Sequence, residues 1–187
     1  MLIIGITGTL GAGKGTVVEY LVQEKGFDHY SVRAYLLDEI RRRGMAENRD
    51  SMFNLANELR ALHSPSWVTD QLYLLAAAKG RNCIIESIRT PGEISALRQK
   101  GNFFLFAIDA DPRLRYQRIV SRQSETDQIS FETFTENEAR EMRTSDPNRQ
   151  NLAACIREAD FVFNNDLTRN DLFLEVERVL GEISETP

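Results

Sequence analysis

Residues 8–16 read Gly8-Thr9-Leu10-Gly11-Ala12-Gly13-Lys14-Gly15-Thr16, directly after the apolar run Leu2-Ile3-Ile4-Gly5-Ile6-Thr7. Glycines at this density let successive backbone N–H groups turn inward and form a concave cradle for a polyphosphate. Lys14 can then reach the β- and γ-phosphates, and the helix beginning here adds the partial positive charge of its N-terminus. The apolar run suits a strand buried on both faces, and Val17 to Glu24 suits a helix packed on the sheet. Gly8, Gly11, Ala12, Gly13, Lys14, Gly15 and Thr16 are therefore the expected nucleotide-binding residues. The alternatives are a plain glycine-rich turn and a dinucleotide fingerprint, and the fingerprint fits poorly in spacing and has no use for a central lysine. One departure matters: Gly15 follows the lysine and the hydroxyl is displaced to Thr16, so the usual direct hydroxyl ligand to magnesium is missing.

The rest of the chain fits a fold built around such a loop. At 187 residues it is long enough for one domain with a real core. A net charge of −5 argues against a broad nucleic-acid footprint. No apolar run approaches the roughly 20 residues of a membrane span, and the first apolar run reads as a strand, not a signal peptide. Cys83 and Cys155 stand apart without a CxxC pattern, as expected of buried thiols in a reducing cytoplasm. His29 and His63 are too scattered to suggest a metal cluster.

Strand and helix patterns alternate from end to end. Strands are expected at Phe27–Ser31, Asn82–Ser87, Phe103–Asp109 and Phe161–Asn164, in addition to the first. Helices are expected at Val32–Arg43, Met52–Leu62, from a Ser64 cap to Lys79, Glu93–Gln99, Asp111–Arg122, Glu132–Arg143, a further one ending at about Arg157, and Leu172–Leu180. Gln123–Gln128 reads as a polar loop. Five mainly parallel strands with helical crossovers predict a three-layer α/β/α fold, with the ligand at the carboxyl ends of the strands.

Several side chains should meet at that edge. Glu86 ends an apolar strand, where a carboxylate can hold magnesium through water or accept a proton. Arg89 can clamp a phosphate bidentately or serve as a turn residue. Arg33 opens a helix after the second strand, where an acceptor phosphate would meet the sheet. Arg41, Arg42 and Arg43 are explained by a helix C-terminus. Arg60 lies within a helix and could face either way. Arg115, Arg118 and Arg122 follow i, i+3, i+7 spacing and share a helical face. They form either a cationic lid over a triphosphate or a solvated stripe paired with Glu125, Glu132 or Glu136. Asn164-Asn165-Asp166 either contacts a nucleobase or forms a turn.

Almost the whole chain resembles P-loop kinases of the nucleoside monophosphate kinase superfamily. Gly5–Thr16 is similar to adenylate kinase, where phosphate oxygens and water hold most of the metal. Ile108–Arg122, with its Arg118-x-x-x-Arg122, is similar to the start of the lid in dephospho-coenzyme A kinase, as is Ala159–Asn165. Ser66-Trp67-Val68 and Ile84–Glu93 resemble phage-type deoxynucleoside monophosphate kinases. The chain also resembles a group of adenylate-kinase-related proteins and the kinase-like N-terminal region of some deoxycytidylate deaminases, although no deaminase zinc signature follows. The resemblance implies one P-loop kinase domain over residues 1–187, an acceptor-binding helical region near 32–79 and a lid near 113–143. It implies ATP and Mg2+ as cofactors, with Lys14, Glu86, Arg118 and Arg122 as catalytic residues. Thr16 and Glu86 would face the metal, Asn164 the donor, and Arg33, Arg60 and Arg89 the acceptor.

An acceptor that is already a monophosphate needs cations to bind it, whereas the ribose hydroxyl of dephospho-coenzyme A benefits from a nearby carboxylate. The dephospho-coenzyme A kinase family carries an aspartate pair just after its second strand, and here that stretch is Ser31-Val32-Arg33-Ala34. The expected function is therefore an ATP-dependent phosphotransferase acting on a nucleoside or deoxynucleoside monophosphate. Dephospho-coenzyme A kinase is the runner-up, and a non-catalytic nucleotide-binding regulatory module is the reading of another class.

Overall fold

The five expected strands form one sheet. The computed structural model describes residues 1–122, 129–146 and 149–185. Its strands are β1 (Ile3–Gly8), β2 (Asp28–Ser31), β3 (Cys83–Glu86), β4 (Phe103–Asp109) and β5 (Phe161–Asn164), in the order β2-β3-β1-β4-β5. All four pairings are parallel, with Gly5 of β1 opposite Ile85 on one side and Leu105 on the other. Every residue of β1 is buried, as a central parallel strand covered on both faces requires.

Alternation along the strands divides the core in two. Ile3, Ile85 and Leu105 face a layer made by α2 (Val32–Arg42), α3 (Arg49–Leu62), α4 (Trp67–Lys79), α5 (Pro91–Arg98) and α8 (Leu152–Arg157). Ile4, Ile6, Ile84, Phe106 and Ile108 face α1 (Lys14–Lys25) and α9 (Arg169–Glu185). Two further helices, α6 (Pro112–Ser121) and α7 (Phe131–Met142), follow β4. The architecture is the three-layer α/β/α sandwich that the alternating pattern predicts. None of the described helices is long and apolar enough to cross a membrane.

Local chemistry moves several helix boundaries. α3 starts a turn earlier than its apolar pattern because Asn48 accepts a hydrogen bond from Ser51 N and caps it. α4 begins after Ser66, not Ser64: Ser66 carries its hydroxyl to Asp70 at 2.7 Å, and no side chain caps the helix. α9 runs a turn longer than expected at each end. The expected loop at Gln123–Gln128, and with it Glu125, lies outside the described residues.

The start of α5 sets the floor of the ligand-binding edge. Thr90 and Glu93 form a reciprocal capping box. The fully buried Glu93 carboxylate also accepts from Arg89 N at 2.7 Å and from the buried Arg60 guanidinium at 3.2 Å. Removing this carboxylate strands a buried guanidinium without its counter-ion. Glu93→Ala is therefore expected to lower stability by about 3–5 kcal/mol, read as a fall in the urea midpoint with the slope unchanged. A loss below about 1 kcal/mol, the scale of a surface pair, would contradict this role.

Candidate active site

The loop after β1 is held open by contacts from three directions. Gly11 has φ +79, and a Cβ there would lie 2.5 Å from the carbonyl oxygen of Arg115. Gly13 has φ +99, and a Cβ there would lie 2.3 Å from the Asn165 amide. Only glycine combines that backbone with that approach. Thr9 donates to Asp109 at the end of β4 (2.5 Å), Asn165 donates to the Ala12 carbonyl (2.8 Å), and Arg115 donates to the Leu10 carbonyl (3.3 Å). The result is a preformed concavity of the shape a polyphosphate fills. Gly15 differs from its neighbours: its φ is ordinary and nothing lies within 4 Å of where its Cβ would be.

Lys14 folds back over this loop and donates to the carbonyls of Gly8 (2.9 Å) and Thr9 (2.7 Å). Two clefts open on either side. The first, of about 450 Å³, runs from the loop to α2 and α3. Its polar lining is Lys14, Arg33, Arg49, Arg89 and Arg122 with Glu86 and Glu141, and its apolar lining is Val32, Leu36, Met52, Phe53 and Ala56. The second, of about 580 Å³, lies over Gly13, Gly15 and Thr16 and is flanked by Arg118, Arg122, Asn165 and Arg169.

Glu86 closes β3 at the back of the first cleft. It accepts from the Ser31 hydroxyl at 2.7 Å, and His29 Nε2 stands 3.6 Å from the same oxygen. Burial would raise the Glu86 carboxyl, but His29, the Ser31 hydroxyl and the Lys14 ammonium more than offset it and hold the group below the usual carboxylate range. Ser31 also caps α2 through Ala34 N, so Glu86 and the helix bearing Arg33 are tied together. Ser87, the next residue, takes φ +70, an uncommon conformation for a non-glycine. The turn leaves Glu86, Ser87 and Arg89 all facing the cleft.

The remaining arginines divide by environment. Arg33 is exposed at the mouth of the first cleft. Arg60 borders that cleft but is committed to Glu93 and Asn57. Arg89 pairs with Glu141 of α7, as does Arg49 of α3. The expectation of a common ligand-facing stripe fails for Arg115: it is buried, holds the carbonyls of Leu10 and Ala110, pairs with Glu138 and lies over the Phe134 ring. Among the described residues its acidic partner on α7 is Glu138, not Glu132 or Glu136. Arg118 donates to the Asn165 carbonyl at 2.8 Å and keeps a second buried nitrogen without a protein partner. Arg122 borders both clefts.

Other contributors were not evident from sequence. Asn164 is exposed at the end of β5, and its neighbour Asn165 supplies the contact to the loop. Side chains of neighbouring residues alternate along extended chain, so the two asparagines turn to different sides. Arg49 precedes the helix expected from sequence, Glu141 lies in a strongly charged helical segment, and the two are 92 positions apart. Thr9 and Asp109, too, are joined only by the pairing of β1 with β4.

A loop of this shape at the carboxyl edge of a five-stranded parallel sheet defines a P-loop kinase-like fold. A family model described as an AAA domain matches residues 4–144, and the chain belongs to that family. Among its relatives, a UPF0200 protein of Methanococcus maripaludis strain C7 is 28% identical over 187 residues, covering 98% of each chain. A UPF0200 protein of Methanocaldococcus jannaschii is 28% identical over 186 residues, covering 98% of this chain and 91% of its own. Among solved structures, shikimate kinase from Bacteroides thetaiotaomicron superposes with a TM-score of 0.59 at 14% identity over 98% of both chains. TT1252 from Thermus thermophilus superposes with a TM-score of 0.60 at 20% identity over 97% of both.

The charge state of Lys14 makes the loop testable. Burial, joined by repulsion from Arg89 and Arg122, brings its ammonium down to about 7 against the attraction of Glu86 and Glu141. A bound polyphosphate favours the charged form and raises that value. Binding should therefore take up a proton, with affinity fullest below about 7 and falling as pH rises through the free-state value. Calorimetric titration of ATP at pH about 8, in buffers of different ionisation heat, should show net proton uptake that disappears in Lys14→Met. Equal heats in the two buffers for the unmodified chain would contradict this arrangement.

Proposed function

We propose that the chain is an ATP-dependent phosphotransferase whose acceptor is a nucleoside or deoxynucleoside monophosphate. The observation that carries this reading is the composition of the first cleft. Arginines and an apolar surface from α2 and α3 line one cavity with the loop lysine. A phosphate attached to a flat, weakly polar ring system matches both.

In this reading the donor's phosphates lie in the loop against its backbone N–H groups, and Lys14 exchanges the carbonyls of Gly8 and Thr9 for phosphate oxygens. Its donor nucleoside occupies the second cleft, beside Asn165 and the exposed Asn164. The glycine cradle fits a polyphosphate, and Thr16 and Glu86 are the residues that would hold a magnesium ion, through water, where it neutralises developing charge. Arg118 and Arg122 supply positive charge along the path of the transferred group. Arg33 and Arg89 bind and orient the acceptor's phosphate, and Arg60 supports that side through Glu93. Glu86, held ionised by its partners, is better suited to orienting a metal-bound water than to taking a proton from a hydroxyl acceptor. That favours a monophosphate acceptor over dephospho-coenzyme A. The lid assigned to residues 113–143 closes over the donor phosphates and excludes water.

The test is turnover by the purified chain with ATP, magnesium and a panel of nucleoside monophosphates, nucleosides and dephospho-coenzyme A. A nucleoside monophosphate should be the preferred acceptor. Lys14→Ala should lower kcat by at least about 100-fold in a folded protein. Arg33→Ala should raise the acceptor KM by about tenfold or more while leaving ATP affinity unchanged. Equal use of nucleosides and their monophosphates would overturn the acceptor assignment, and nucleotide binding without transfer to any acceptor would favour the regulatory module.

A further inference from the structure

Glu141 is the one residue of the first cleft whose two carboxylate oxygens are divided between arginines from separate parts of the fold. Oε1 accepts from Arg49, the first residue of α3, at 2.6 Å, and Oε2 accepts from Arg89, in the segment joining β3 to α5. All three residues line the cleft, and Glu141 is only 7% exposed. The next positions repeat the contact with the charges exchanged: Arg140 lies 3.5 Å from Asp50 and 4.9 Å above the Phe53 ring. The last turn of α7 is thus laid across the first turn of α3. The other acid of the cleft, Glu86, is turned to Ser31 and His29.

A carboxylate bridging two guanidiniums reproduces the charge and bidentate geometry with which arginines hold a phosphate. We propose that Glu141 is an internal counter-anion in the acceptor-phosphate site, and that it sets specificity because an acceptor must displace it from Arg49 and Arg89. The proposal rests on the first cleft being the acceptor cleft. A neutral acceptor gains nothing from two arginines already satisfied. An acceptor with a single negative charge merely exchanges one monoanion for another that is not tethered. A phosphate monoester brings a second charge and three terminal oxygens, so it is the class of ligand that wins the exchange. Displacement of Glu141 also removes one of the contacts holding α7 to α3, so acceptor binding loosens α7.

The test is binding of inorganic phosphate and of AMP to the full chain without a donor, with hydrogen exchange followed across residues 131–142. Removing an internal competitor raises apparent affinity by the reciprocal of the fraction of sites it had left free. Glu141→Gln should therefore bind both probes at least about tenfold more tightly than the unmodified chain. Adding Arg49→Ala to Glu141→Gln should abolish the gain, which places it at the arginine pair and not in the phosphate loop. AMP should reduce protection of residues 131–142 in the unmodified chain, and in Glu141→Gln that protection should already be low. If Glu141→Gln does not fold, Glu141→Asp keeps the charge but is too short to bridge both arginines, and should shift affinity in the same direction by a smaller factor. A folded variant that binds phosphate no more tightly, a gain that survives Arg49→Ala, or α7 protection unmoved by AMP would each overturn the proposal. None of these measurements needs turnover. Tighter phosphate binding in a chain that transfers nothing would uphold Glu141 and reject the phosphotransferase reading.

Discussion

The contacts of one buried guanidinium join the two halves of the ligand-binding edge. Arg115 reaches back to the Leu10 carbonyl of the phosphate loop, holds the Ala110 carbonyl just after β4, and pairs forward with Glu138 of α7. An arginine can serve three directions at once because its five donors are fixed in a plane. Without it, α7 would meet the sheet edge mainly through Phe134 and the distant Glu141 contact, and the loop would lose one of its three supports. The same residue therefore shapes the loop directly and the first cleft through the helix it anchors. Loop geometry and the position of α7 are not independent variables in this molecule.

Much of the architecture was legible because the strongest signals are local. The loop spelling, the apolar runs of β1 and β4, and strand–helix alternation each depend on adjacent residues. What stayed hidden depends on contacts between distant ones. Helical spacing placed Arg115, Arg118 and Arg122 on one face, but periodicity does not say which member of a face another helix covers. α7 covers Arg115 and leaves Arg122 at the clefts. The Arg49–Glu141–Arg89 bridge was unreadable for the same reason, since its members lie far apart in sequence and only the fold brings them together. The run Asn164-Asn165-Asp166 was legible as a segment near the loop, but its spelling does not say that Asn165 is the member that reaches the Ala12 carbonyl.

Positive charge is concentrated at the carboxyl edge of the sheet. Its cations lie close enough that Arg89 and Arg122 both disfavour the charged form of Lys14. The fold tolerates this through internal substitutes: loop carbonyls for Lys14, and a carboxylate for Arg49 and Arg89. Each substitute is weaker or less charged than a phosphate. A site arranged in this way is preorganised for anions while remaining compatible with a stable empty state.

Gly15 borders both clefts, and neither backbone conformation nor crowding demands a glycine there. Its effect is therefore on the space above it. The two clefts meet across Gly13 and Gly15 beneath Arg122, and a side chain on Gly15 would rise into that seam as a partition. With only hydrogen at this position the floor stays low. The two compartments communicate along a continuous trough, which gives a group passing from one to the other a short path close to the helix N-terminus.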